Sequence, residues 1–311
     1  MSQSVWHRGL ENFSNQHPLF FVIQGKKAML LSQEHSQHFN TKGWTIVPYD
    51  HALRKWAKSV QPVAENLIRD SELSERWLRC DGTWFAGVNV LPNDKRGAIE
   101  AHDVPPLPQT EFCDILSSFL GIGDISWDFG QVSACYPGYP RISADETIAS
   151  FNFRKNRDNA HVDGLLKDEK TGARYPGEFH AFVVGIPLDT YPQGSSPMVV
   201  WDGSHRIIQK YMQDTLAEIP MKDWSEIDIT QGYQQKRKEC FEQLPRTEIS
   251  VPQGSAYILH HMALHGIAPW VAPEGAPPRI IVYFRPDLNI LTDDENIKKN
   301  WWLRHDTVSA L

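Results

Sequence analysis

The sequence predicts a mainly β fold of the α+β class, with a helical N-terminal layer packed on a C-terminal β-barrel. Two observations predict it. Apolar residues recur at helical spacing early in the chain, and after about residue 125 short strand-like runs follow one another. The bulk numbers agree with one elaborated globular domain: 311 residues, 41% hydrophobic and 22% charged.

Taken in order, residues 1–50 alternate short apolar runs with polar turns. Ala28-Met29-Leu30-Leu31 and Trp44-Thr45-Ile46-Val47 read as strands or short connectors. Asp50 is placed to cap a helix over 51–69, where Leu53, Trp56, Val60, Val63 and Leu67 share one face. Ser71 to Leu78 reads as a second short helix, and 84–91 as a strand ended by Pro92-Asn93-Asp94. Phe112, Ile115, Leu116, Phe119 and Leu120 predict a helix over 110–120, closed by Gly121. Strand-like runs then cover 127–135, 149–154, 179–187, 197–201, 247–251, 255–260 and 279–285, separated by Gly, Pro, Asp and Asn. Many short strands with such punctuation predict a sandwich or barrel. One helical interruption occupies 205–219 and 230–243, ended by Pro220 and Pro245.

A formal charge of −7 argues against broad nucleic-acid binding, which needs a basic field to neutralise phosphates. The start of the chain does not read as a signal peptide, and no segment approaches the ~18 apolar residues of a membrane span. Cys80, Cys113, Cys135 and Cys240 are isolated, which reads as buried reduced thiols. A cytoplasmic location is the expectation. The eleven tryptophans are expected mostly in the core or in pocket walls.

Three segments carry chemistry. In His161-Val162-Asp163-Gly164, residues i and i+2 of an extended segment point to one side, so an imidazole and a carboxylate reach one ion. By itself His-x-Asp is a weak signal, and its bland reading is a polar loop with a turn. About a hundred residues on, Tyr257-Ile258-Leu259-His260-His261-Met262-Ala263-Leu264-His265-Gly266 offers three histidines. His265 stands where a ligand at a barrel mouth is expected, and His260 and His261 read as core or supporting histidines. The third is Arg279-Ile280-Ile281-Val282-Tyr283-Phe284-Arg285: an inward arginine requires a paired anion, whereas an edge arginine snorkels to water. Two histidines and one carboxylate leave coordination positions open, as suits iron(II), while a structural zinc site wants four closed ligands.

In this order, His161-x-Asp163, His265-Gly266 and Arg279 resemble the phytanoyl-CoA dioxygenase family of 2-oxoglutarate oxygenases. Gly203-Ser204-His205-Arg206 followed by a helix resembles the family's Pro-Gly-Ser-His-Arg segment, with Asp202 in place of the proline. Pro269-Trp270 also departs from the family's proline-asparagine. The resemblance covers roughly 125–290. It implies a double-stranded β-helix, or jelly roll, in a single oxygenase domain over 1–311. Residues 1–125 would form the N-terminal layer, 126–290 the core and 291–311 a C-terminal extension.

It further implies Fe(II) held by His161, Asp163 and His265, and 2-oxoglutarate as co-substrate with its far carboxylate on Arg279. Ascorbate would support activity, and hydroxylation of a small molecule with release of succinate and CO2 is the expected outcome. Gln131 and Tyr136 are placed on a barrel-lining strand, and Trp201 beside 2-oxoglutarate, against the simpler reading of core packing for each. Arg141, Arg154, Lys155 and Arg157 read as a solvated basic run, and 155–160 and 164–178 as loops able to cover the site. Two rival readings stand: a related metal oxygenase without 2-oxoglutarate, and a non-catalytic cupin-like barrel binding a small ligand. The substrate and the oligomeric state are not legible.

Overall fold

Asp50 starts the first long helix by accepting hydrogen bonds from the Ala52 and Leu53 amides, and α1 runs His51–Arg69 as its spacing predicts. The computed structural model describes residues 34–109, 113, 114, 117 and 125–303. The expected element at 28–31, most of the helix expected over 110–120 with its Gly121 cap, and residues 304–311 lie outside these. Asp70 ends α1 and caps α2 (Ser71–Trp77), accepting from Leu73 N at 2.9 Å.

A seven-stranded antiparallel sheet carries the fold, in the order β1 (Trp44–Val47), β10 (Ala256–His260), β7 (Phe182–Pro187), β12 (Arg279–Phe284), β4 (Gln131–Cys135), β3 (Trp84–Gly87) and β2 (Leu78–Arg79). A three-stranded sheet has the order β11 (His265–Ile267), β8 (Met198–Trp201), β9 (Arg246–Ile249). A third sheet is the pair β5 (Leu165–Lys167) and β6 (Arg174–Pro176). Three strands of the large sheet thus come from the first 125 residues.

The central strands are continuous apolar runs because both faces of the large sheet are covered. Successive side chains alternate between faces. Val184, Ile186, Ile258, Val282 and Phe284 point outward into a cluster with Leu53 and Trp56 of α1, where the Trp56 and Phe284 rings lie 5.9 Å apart. Their neighbours Val183, Tyr257, Leu259, Ile281 and Tyr283 point inward and pack with Met198, Val200 and Ile249 of the small sheet. The two sheets therefore enclose a shared interior.

One expected strand is a helix. Residues 149–154 lie within α3 (Ile148–Asn156), which Thr147 caps by accepting from the Ser150 amide. The Phe-Asn-Phe alternation resembles a strand, yet no residue of α3 is buried, so no sheet face holds it extended. Phe153 instead packs edge-on against Phe241, and Arg237 lies over its ring. The helical interruption appears as α4 (Ser204–Leu216) and α5 (Thr230–Gln243). Two more helices, α6 (Leu288–Leu291) and α7 (Glu295–Leu303), follow β12. Among the described residues no helix is long and apolar enough to cross a membrane. The four cysteines are free and buried.

His205, His260 and His261 lie in the core, with His205–His260 and His260–His261 ring centroids 4.9 and 4.3 Å apart. His261 stacks on Trp302 of α7, and burial pushes it down to about 3 from an ordinary 6.5. The folded chain therefore refuses a proton that the unfolded chain binds below pH 6.5. The stabilisation is full above that value and falls as pH drops from 6.5 towards 3, by up to ~1.4 kcal/mol per pH unit for this group. Urea midpoints measured across this range should fall with pH, and less steeply in His261→Gln; equal slopes would exonerate His261.

Candidate metal centre

The segment around the first histidine is tied down on both sides. Asp158 is buried and receives a two-pronged ion pair from Arg246 of β9, at 2.8 and 2.9 Å. The Tyr233 hydroxyl of α5 accepts from the Val162 amide at 3.0 Å. Between these anchors, His161 and His265 exchange backbone hydrogen bonds: His161 N to His265 O at 2.8 Å and His265 N to His161 O at 3.0 Å. β11 pairs on its other side with β8, opposite Val200. The two imidazoles are thereby side by side, with ring centroids 4.9 Å apart.

Asp163, two residues after His161, turns its carboxylate to the same side. Its Oδ1 is 3.2 Å from His161 Nε2 and its Oδ2 is 3.7 Å from His265 Nε2. One ligand atom from each of the three residues falls within 4.8 Å of the others, the grouping a metal ion would need. Two donors about 2.1 Å from an ion and at right angles stand about 3 Å apart, so the spacing fits.

The protonation states also fit. His161 Nδ1 lies 2.9 Å from Asn159 O, and His265 Nδ1 lies 2.8 Å from Ala263 O. A carbonyl only accepts, so each Nδ1 carries a proton, and each Nε2 is the ring nitrogen turned towards Asp163. Burial, opposed by Asp163, pushes His265 down to about 4, so its imidazole is neutral at pH 7. Burial alone would raise the Asp163 carboxyl. The Arg285 guanidinium, with help from both histidines, more than offsets this and holds it well below the usual carboxylate range.

Arg285 is the residue whose part the sequence left open. Its Nε donates to Asp163 Oδ2 at 2.5 Å, its Nη1 to Gln131 Oε1 at 2.7 Å, and its backbone amide to Asp128 Oδ1 at 2.8 Å. A signal for this existed: residues 279, 281, 283 and 285 share a strand face, and Tyr283 packs in the interior. Asp158 and Arg246 carried no comparable signal, because their partnership joins distant segments.

The triad opens into a cavity of about 740 Å3 between the two sheets, whose walls also include Gln131, Ser133, Trp84 and Tyr283. Arg279 lies elsewhere. It is 3% exposed and lines a separate recess of about 20 Å3 with Tyr191, Ser195 and Tyr257. Its Nη2 lies 3.3 Å from Cys135 Sγ, and its Nε and Nη1 have no hydrogen-bond partner. Burial pushes the Cys135 thiol up, so it supplies no negative charge. Met198 lines both cavities. Trp201 is on the opposite face of β8, its ring 5.0 Å from Phe241, and lines neither cavity. His260 and His261 are core residues outside the triad. Asp202, at the departure from the family segment, accepts from Lys42 Nζ and Trp44 Nε1 and ties the start of β1 to the end of β8.

Gly266 keeps the histidines paired. A β-carbon there would sit 2.1 Å from the Asp158 carbonyl oxygen, and Ile267 N bonds that same oxygen at 2.9 Å. Gly266→Ala should force the two segments apart and weaken divalent-metal binding by about tenfold or more. Calorimetric titration with Co(II) would check this, and unchanged affinity would mean that the pairing does not set the site.

No family model and no curated protein sequence matches the chain. Among solved structures, the chain is similar to the non-heme alpha ketoglutarate dependent epimerase SnoN from nogalamycin biosynthesis, at 13% identity over 82% of each chain, with a TM-score of 0.48. It is also similar to the carbocyclase SnoK from the same biosynthesis, at 12% identity over 83% of this chain and 85% of that one, TM-score 0.42. A third is EctD from S. alaskensis, solved with 2-oxoglutarate and 5-hydroxyectoine, at 11% identity over 89% and 79% of the chains, TM-score 0.42.

Proposed function

We propose that this chain is an Fe(II)/2-oxoglutarate-dependent dioxygenase of the phytanoyl-CoA dioxygenase type, built on a double-stranded β-helix and hydroxylating a small molecule. The observation that carries the proposal is the convergence of two imidazole Nε2 atoms and one carboxylate in the wall of a deep cavity. His161, Asp163 and His265 would hold the iron, and three ligands on one side leave positions for co-substrate and dioxygen. The iron and its co-substrate would supply the oxidising chemistry, with 2-oxoglutarate leaving as succinate and CO2.

The chain's own residues do the rest. Nδ1–H bonds to Asn159 O and Ala263 O fix both rings, and Arg285 fixes the Asp163 carboxylate. Gln131, oriented by Arg285 Nη1, presents its amide to the cavity. Arg279 is a buried cation without an anion among the described residues. Such a group is costly unless paired, so a dicarboxylate's far end suits it. That end would pass Met198, the flexible side chain common to both cavities. The same separation of Arg279 from the main cavity favours a second reading, a metal oxygenase that does not use 2-oxoglutarate.

Two measurements on the full chain decide between these readings. With Fe(II) and ascorbate in air, 2-oxoglutarate should yield succinate, and His161→Ala or Asp163→Ala should abolish both this and metal binding. Arg279→Met, which fills the space without the charge, should weaken 2-oxoglutarate binding by about 30-fold, the equivalent of ~2 kcal/mol. Succinate absent under every condition would reject the co-substrate, and unchanged affinity in Arg279→Met would move the anchor elsewhere.

A further inference from the structure

The outer half of the main cavity has a chemical character distinct from that of the triad. Strand parity continues past the sheet: Trp84, Ala86 and Val88 follow one face, as do Phe129, Gln131 and Ser133. All six line the cavity. Phe129 is 58% exposed at its mouth, a large aromatic ring uncovered beside a deep pocket. Trp127 and Ile290 complete an apolar wall.

The charges facing this wall do not balance. Asp163 is matched by Arg285 and Asp94 by Arg96, each through a direct ion pair. Glu178 bonds His180 at 3.1 Å, and the Asp287 carboxylate caps α6 by accepting from Asn289 N at 2.8 Å. Asp128 differs from these. Its donors are backbone amides, those of Arg285 and its own, because the Arg285 guanidinium is turned to Asp163 and Gln131. Burial pushes its carboxyl up to about 6 against the pull of the Arg285 guanidinium and His180, so at pH 7.5 it is an ionised carboxylate, and among the described residues no side-chain ion pair is made to it. Besides histidines, the cationic side chains lining the cavity are Arg285 and Lys95, the latter exposed at the rim, against the five acids Asp94, Asp128, Asp163, Glu178 and Asp287. A carboxylate flanked in the cavity wall by Trp127 and Phe129 is the composition that recognises an ammonium on an apolar body, through an ion pair and the face of a ring.

We infer that the molecule accepted here is an organic cation: an amine on an aromatic or aliphatic body that fits about 740 Å3, with its ammonium on Asp128 and its body against Phe129. The inference rests on the proposed function for treating this cavity as the substrate site. Recognition by Asp128 does not require the metal.

The test is binding of three matched probes to the full chain at about pH 7.5, followed by calorimetry: 2-phenylethylamine, 2-phenylethanol and 3-phenylpropionate. The amine should bind about tenfold or more tighter than either of the others, and Asp128→Asn should cut that preference about fivefold. An alcohol or carboxylate that binds as tightly as the amine overturns the inference, as does a preference intact in Asp128→Asn. If that variant does not fold, the ranking on the natural chain decides alone. A parallel titration with 2-oxoglutarate keeps the two claims apart. Loss of 2-oxoglutarate binding with the amine preference intact rejects only the co-substrate, and the reverse result rejects only the cation.

Discussion

The reciprocal backbone hydrogen bonds between His161 and His265 are the constraint on which the rest of the centre depends. They join a loop to the first residue of β11, from segments about a hundred residues apart. Once they form, the positions of both imidazoles follow from backbone geometry, and Asp163 follows from the two-residue period. The anchors around them serve the same end. Arg246 holds Asp158, Tyr233 holds Val162, and Gly266 gives the clearance that lets the two backbones approach. A side-chain grouping set by backbone pairing is held more rigidly than one built on free loops.

One strand face carries two guanidinium groups with different fates, and the contrast explains how charge is handled. Arg285 finds its anion within the chain. Burying the Asp163 carboxylate would be expensive if it were alone, and the ion pair offsets that cost before any metal arrives. Arg279, six residues earlier on the same face, has a thiol and hydroxyl-bearing neighbours but no carboxylate among the described residues. A buried cation of this kind is costly unless paired, and that cost is the physical basis on which the proposed function gives Arg279 an anionic partner.

Much of the architecture was legible because local signals and tertiary packing agree. α1 could be read from Asp50 and its apolar stripe, since that stripe packs on the large sheet. The strands at 182–187, 256–260 and 279–284 could be read because burial on both faces leaves unbroken apolar runs. α3 was misread for the complementary reason. With no buried residue, its composition carries no record of a face, and the Thr147 cap decides its conformation. Pairing of β1 with β10, or of β3 with β4, leaves no local trace, so the contribution of the early strands to the large sheet could not be read. Trp201 shows the limit of reasoning from residue type. On β8, Met198 and Val200 take the interior, and the period of two sends Trp201 to the other side, against Phe241.

The cavity wall divides by origin, and the division bears on what each part can do. The triad's immediate surroundings come from paired strands: Gln131 and Ser133 on β4, Tyr283 on β12, Met198 on β8 and His265 on β11. Changing any of these disturbs a sheet register. The outer wall comes from connections around 88–95, 127–129 and 178–180 and from the start of α6, where residues differ in exposure and owe little to strand pairing. Segments of the second kind tolerate substitution while the scaffold stays intact. The strands can therefore preserve one chemistry while the connections set which molecule reaches it. Asp128 stands at the junction, its carboxylate bonded to the backbone just after β12 and its side chain in the cavity wall.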